Sequence, residues 1–362
     1  MEQAFKDAER KQWREHVDHH ALVPLSVADS QAVRARVDPR RILGSRFAYR
    51  DKHYAKRRAD PSISWKPKAR LVISGHQDPD LPEMTGLTDA PTLSRSGMIL
   101  MLQILANHLD HNWGASAGDI SAAFLNGEEL TRELYLRQPK GGLGDLHPSQ
   151  LVRVCKGVFG LADSPRSWWR KFRKEIDHLR LRGPSGREAV FSQCPLDSCI
   201  FLVQERAENG ELGPPFAYLG VHVDDLLLIG EEKVRKEIQR LLSDAFPVEE
   251  WEENHFEYIG SVINVEKDKV TITQEMYTET RLFTVEIAPG QEDDEEATDE
   301  QRMDSQSLIG ALGWLSNQTR PDLQVGVSMS QQVQKNPLVG DIKFVNQLAR
   351  KAMEHKGEGV VL

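Results

Sequence analysis

The chain has 362 residues, 39% of them apolar and 28% charged, and a net charge of −9. That composition supports a sizeable core and excludes a wholly disordered chain, while the longest apolar stretch, Met98 to Ala106, is too short to span a bilayer. Three cysteines (Cys155, Cys194 and Cys199) exclude a disulfide framework, and the charged opening MEQAFKDAERKQW lacks a secretory h-region, so a soluble intracellular protein with no membrane partner is expected.

Charge is unevenly spread. Residues 1–75 hold 17 Lys and Arg against 9 Asp and Glu, a net of +8, so the remainder carries −17, with seven acids between Glu292 and Glu300. Such asymmetry suits a molecule that meets phosphates in one lobe and cations in another, although a solvated surface with one acidic loop explains it as well. In chain order, residues 1–20 read as a polar helix with Phe5, Ala8, Trp13 and Val17 on one side. Lys68-Ala69-Arg70-Leu71-Val72-Ile73-Ser74 reads as a strand that opens with exposed cations, His76 to Pro91 as a loop, and Leu93 to Leu109 as an apolar helix. Gly118 to Phe124 reads as a strand broken at Asn126-Gly127, and Leu134-Tyr135-Leu136 as another. Ser164-Pro165 is a helix start, with Trp168, Phe172, Ile176 and Leu179 on one face. Phe216 to Ile229 predicts a hairpin with Asp224-Asp225 at its turn. Glu231 to Phe246 predicts an amphipathic helix, and Tyr258–Val265 with Val270–Thr273 a second hairpin. The acidic loop follows, then helices from about Asp304.

The chemistry concentrates in three acids. Asp224 and Asp225, flanked by apolar strand residues, repel each other and lose solvation. Cations relieve both penalties, but most adjacent acids in a hairpin turn are simply solvated. Asp119 stands in a second strand context; alone it reads as an exposed strand-edge acid. Acids from two strands can converge on two Mg²⁺ ions about 3.5–4 Å apart that clamp an in-line phosphoryl transfer. No GxSxG, HExxH, P-loop or GxGxxG competes with them.

Nine segments, in order, resemble the reverse transcriptase domain of copia-type (Pseudoviridae) retrotransposon polyproteins. They are Lys68–Val72; Asp89-Ala90-Pro91; Asp119-Ile120-Ser121-Ala122-Ala123-Phe124-Leu125-Asn126-Gly127; Tyr135–Pro139; Val158–Leu161 with Ser164–Trp168; Asp197–Phe201; His222-Val223-Asp224-Asp225; Tyr258-Ile259-Gly260; and Thr319–Leu323. The resemblance implies an α+β right-hand polymerase with fingers, a palm of antiparallel sheet backed by helices, and a thumb. It implies an RNA-directed DNA polymerase that uses two Mg²⁺ ions (or Mn²⁺), with dNTPs and an RNA or DNA template-primer as partners. Asp119, Asp224 and Asp225 would be catalytic and hold the metals. Lys68, Arg70, the Ile120 backbone, Phe124 as an aromatic gate against the ribose 2′-OH, Pro165 and Arg166 would bind the nucleotide. His222, Tyr258 and Gly260 would meet the primer. The expected segments are a helical extension at 1–40 and fingers at 41–115. Palm follows at 116–150, a fingers/palm helical segment at 151–215, palm hairpins at 216–275, and acidic loop and thumb at 276–362. RNase H, protease and integrase parts are expected to be absent.

Two departures weigh against activity. His222 stands where the family has Tyr, and Ala162-Asp163 replace Lys-Gln, which puts an acid near the nucleotide site unless Asp163 caps a helix. The alternative reading is a decayed retroelement remnant that only binds nucleic acid or protein; a remoter one is a metal-dependent phosphohydrolase.

Overall fold

A computed structural model describes residues 2–54, 57, 60–84, 86 and 88–362, so residues 85 and 87 of the expected 76–91 loop fall outside the described ones. The chain divides into two units: Met1–Tyr54, Ser64–Met98 and Gly118–Trp251 form one, and Ala55–Ile63, Ile99–Ala117 and Glu252–Leu362 the other.

The first unit opens with helix α1 (Glu2–Asp18), strand β1 (Leu22–Pro24) and helix α2 (Val27–Arg36). Ser26 starts α2 by accepting the Asp29 N–H on its hydroxyl at 3.0 Å. Next come β2 (Ile42–Leu43), β3 (Ser45–Asp51) and β4 (Pro67–Ile73). β3 and β4 form an antiparallel ribbon in which Arg50 faces Lys68 and Ala48 faces Arg70. Helix α3 (Arg95–Ala106) begins in this unit and β5 (Trp113–Asp119) ends in it. β6 (Glu129–Arg137) and β7 (Leu151–Lys156) complete a small sheet in the order β1-β7-β6-β2. After α4 (Ser164–His178) come β8 (Leu181–Arg182), β9 (Glu188–Gln193), β10 (Ile200–Arg206), β11 (Leu212–His222), β12 (Asp225–Glu231) and α5 (Glu232–Ala245). These five strands pair antiparallel in the order β12-β11-β10-β9-β8.

The helices α4 and α5 cover this larger sheet. Trp168, Phe172 and Ile176 recur every four residues along α4 and meet Phe201, Leu219, Leu226, Leu228, Ile238 and Leu242 in one core. Leu227 and Ile229 are buried as well. With both of its faces covered, β12 is a continuous apolar run rather than an alternating one.

The second unit holds β13 (Glu252–Glu253), β14 (His255–Tyr258), β15 (Ser261–Val265) and β16 (Val270–Thr273). Helices α6 (Glu275–Arg281), α7 (Asp299–Gln318), α8 (Gln324–Val333) and α9 (Val339–Glu354) follow, then β17 (Val360–Val361). Its sheet runs β14-β15-β16-β17, and its helical core gathers Leu308, Leu312, Leu315, Val327, Ile342 and Val345. Among the described residues no helix is long and apolar enough to cross a membrane.

The fold is α+β, as expected. Several element boundaries differ from the sequence reading. The strand expected from Tyr258 starts at Ser261, because Ile259 and Gly260 form a left-handed turn and Tyr258 ends β14. The helix expected from Leu93 starts at Arg95, because the Leu93 N–H donates to the Val221 carbonyl at 3.1 Å. The expected strand over 118–124 stops at Asp119. Ala122 turns left-handed (φ +54), and the Asn126 side-chain amide donates to the Ser121 and Ala122 carbonyls, closing a 3₁₀ turn over Ala123–Asn126. The terminal helices begin at Asp299, inside the acidic run. Thr298 and Gln301 cap that start reciprocally, and Asp299 and Glu300 suit a helix N-terminus.

Candidate active site

β11 and β12 pair until His222 faces Asp225, which leaves Val223-Asp224 as a two-residue turn. Val223 sits at φ +62. A β-branched residue there costs about 1–3 kcal/mol and needs a surrounding that dictates it. Two bonds do so: the Trp168 indole N–H donates to the Val223 carbonyl at 2.7 Å, and the Ile120 N–H donates to the Asp224 carbonyl at 2.9 Å. The second bond ties the end of β5 to the turn, so Asp119 and Asp224 arrive together. On the other flank of Asp119, the Glu249 N–H donates to its carbonyl at 2.8 Å and the Ser121 hydroxyl donates to the Glu249 carboxylate at 2.8 Å.

Asp119 and Asp224 line one cavity with Lys68 and Arg70 of β4, Lys52 just after β3, Phe124, Phe159 and Glu249, and with Gln12 and Glu15 of α1. Asp119 is solvent-exposed, yet protein crowding, then Asp224 and Glu249, hold its carboxyl above the usual range. Lys68 is pushed down by its partial burial and then by Lys52 and Arg70, with Glu15 and Asp119 pulling the other way. Phe124 meets Phe159 edge-on at 5.3 Å, and the Arg70 guanidinium lies 5.2 Å from the Phe159 ring centre. Gly160 makes this wall possible. It stands at φ +104, and a Cβ there would collide with the Ile73 carbonyl of β4.

The structure brings Asp119, Asp224, Lys68, Arg70 and Phe124 together, and Ile120 joins them through its backbone while its side chain is buried. Asp225 opens β12 half-buried and is not among the cavity walls, nor is half-buried His222. Pro165 takes the first turn of α4, and Arg166 donates to the Asp89 carbonyl at 2.9 Å; neither lines the cavity. Tyr258 and Gly260 belong to the second unit. The Tyr258 side chain is buried, and Gly260 (φ +73) follows Ile259 (φ +50) in the turn between β14 and β15. Asp163 neither caps α4 with its side chain nor stands bare. The Arg132 guanidinium donates to it at 2.6 and 2.9 Å and to Asp78 at 3.0 and 3.1 Å. Sequence reasoning missed Gln12, Glu15, Lys52, Phe159 and Glu249 as cavity residues. Phe159 lay in a recognised motif and Lys52 in the basic stretch, but α1 carried only an amphipathic pattern.

Residues 36–290 match the family model described as reverse transcriptase (RNA-dependent DNA polymerase). The chain belongs to this family. It is 28% identical over 239 residues to the retrovirus-related Pol polyprotein from transposon RE2 of Arabidopsis thaliana, covering 66% of this chain and 14% of that protein. It is 24% identical over 337 residues to the corresponding polyprotein from transposon RE1 of the same plant, covering 89% of this chain and 21% of that one. The chain thus spans about a fifth or less of the curated relatives' length. A foamy viral protease–reverse transcriptase solved with double-stranded DNA aligns with TM-score 0.39 and 10% identity over 80% of this chain and 42% of that one.

For a reverse transcriptase of this copia-type group, the donor chemistry at the turn suits a hard divalent cation. Asp119 and Asp224 offer carboxylate oxygens whose repulsion such an ion relieves, and Mg²⁺ accepts one or two carboxylates together with substrate phosphates. Among the described residues, no three His, Cys, Asp or Glu side chains gather closely enough to hold a metal by themselves.

Proposed function

We propose that this chain extends a primer on an RNA template by nucleotidyl transfer from dNTPs. One observation carries the reading: Asp119, at the end of β5, and Asp224, in the turn between β11 and β12, line the same cavity as Lys68, Arg70 and Phe124. Asp119 and Asp224, assisted by Asp225, would hold two Mg²⁺ or Mn²⁺ ions, which when bound stabilise the charge of the attacking and leaving oxygens. Lys68 and Arg70 neutralise the incoming triphosphate, with pyrophosphate as the leaving group. Phe124, braced by Phe159, excludes a ribose 2′-OH and favours dNTPs. His222 and the turn at Tyr258–Gly260 bear on the primer, Pro165 and Arg166 on the templating base pair. Phosphate contacts make duplex affinity fall with salt.

The test is dNTP incorporation by the purified chain on a primed RNA template with Mg²⁺, beside Asp224→Asn. Incorporation that the substitution abolishes supports the reading; folded wild-type protein that incorporates nothing overturns it. A second reading, a remnant that binds nucleic acid without catalysis, draws on the position of Asp225 outside the cavity walls. Retained duplex binding without incorporation would favour it.

A further inference from the structure

The matched family region begins at residue 36, whereas α1 ends at Asp18. Yet α1 delivers two side chains, Gln12 and Glu15, to the cavity that holds Asp119, Asp224 and the fingers cations. The helix is fixed there. His16 is fully buried and its ring Nδ1 bonds the Gln12 carbonyl at 2.8 Å. The Tyr49 hydroxyl of β3 donates to Glu9 at 2.6 Å, and the Phe5 and Tyr49 rings meet edge-on at 5.2 Å. The Lys156 ammonium donates to the His19 carbonyl at 2.9 Å. Gln12 is itself buried, and its amide donates to the Glu15 carboxylate at 2.6 Å, which sets where that charge points.

Glu15 lines the same cavity as Lys52 and Lys68 and its charge acts on Lys68, and among the described residues no direct ion pair joins it to either lysine. A charge held nearby without a close pair balances the cations at little desolvation cost and is repelled by any anion that comes between.

We propose that α1 is a wall of the nucleotide pocket and that Glu15 is an anionic placeholder, balancing Lys52 and Lys68 until the phosphates of a nucleotide take over that role. The inference rests on the polymerase reading for the identity of the ligand and on the cavity for the charge balance. Glu15 thereby sets the affinity of the pocket: it weakens binding of every polyphosphate, so that tight binding needs the further base and sugar contacts of a dNTP.

The experiment compares the full chain with Glu15→Gln, which keeps the Gln12 contact and removes the charge. Steady-state incorporation on a primed RNA template reads the dNTP KM, and calorimetry without template reads binding of Mg²⁺–tripolyphosphate. The dNTP KM falls and tripolyphosphate binding tightens, each by about three- to tenfold, the scale of one partly screened charge, and both gains shrink at high salt. A KM and a tripolyphosphate affinity that stay the same or worsen overturn the proposal. Gln12→Ala, which frees the Glu15 carboxylate without removing its charge, gives a smaller tightening than Glu15→Gln; an equal one also overturns it. If the wild-type chain incorporates nothing, the polymerase reading falls while the tripolyphosphate comparison still decides the role of Glu15.

Discussion

Arg132 offers the sharpest stability test in the first unit. Its guanidinium serves two carboxylates, Asp78 in the turn after β4 and Asp163 at the head of α4, at 2.6–3.1 Å. The side chains are 14% exposed for Arg132, 3% for Asp78 and 18% for Asp163, so water screens the cluster little. Burial works against the charge on Arg132, and the bonds to Asp163 and Asp78 outweigh it, holding the guanidinium above its ordinary value. Arg132→Met keeps the volume and strands two poorly solvated carboxylates. Breaking a buried pair from one side costs about 3–5 kcal/mol, whereas replacing a whole buried ionic cluster by neutral groups is often close to neutral. Equilibrium urea unfolding should therefore show the single variant losing about 3–5 kcal/mol through its midpoint at an unchanged slope. Adding Asp78→Asn and Asp163→Asn should recover most of that loss. A single variant within about 1 kcal/mol of wild type, or a triple variant no better than the single, refutes the reasoning.

Three further outcomes follow from the same geometry. The raised carboxyl of Asp119 means that metal-free protein is stabilised below pH 3.8 and loses that contribution as pH rises through the folded value. Asp119→Asn should thus raise the melting temperature in EDTA at pH 7 while abolishing incorporation; an unchanged or lower melting temperature counts against the charge crowding. His16 is held neutral chiefly by burial, so its contribution is present above pH 6.5 and lost as pH falls towards its depressed folded value. His16→Gln should flatten the decline in melting temperature between pH 7 and 5. Trp168→Phe removes the donor to Val223 and should cost about 1–3 kcal/mol by urea midpoint, because a turn carbonyl loses its partner.

How much of this was legible in the sequence depended on whether the deciding contacts were local. The Asp224 hairpin was readable because two acids interrupt an apolar run, and α4 because Ser164-Pro165 precede a four-residue spacing of Trp168, Phe172 and Ile176. Asp163 was misjudged because its partner Arg132 lies 31 residues away, and Arg132 reaches Asp78 across 54 more. No periodicity signals such a pair. The left-handed turn at Ala122 was hidden because neither Gly nor Asn occupies that position; the Asn that closes the turn is four residues on. The share of α1 in the cavity was hidden because an amphipathic helix announces its buried side, not what stands beside it.

At the Val223-Asp224 turn these non-local contacts act together. Val223 is strained at φ +62, and Asp224 sits beside Asp119 with like charge. Neither arrangement survives unless other bonds are stronger in that geometry than in any relaxed one. Trp168 pins the turn from below and is itself packed against Phe172 and Phe246, so flattening Val223 means breaking an indole bond inside a filled core. Ile120 pins it from the side through a backbone bond, and Ile120 is fully buried, so the end of β5 cannot swing outward to separate the two carboxylates. The core beneath the sheet therefore fixes where two repelling charges must stand. A cation at the turn, like a proton on Asp119, lowers that repulsion without disturbing the core, because the backbone that carries the two carboxylates need not move.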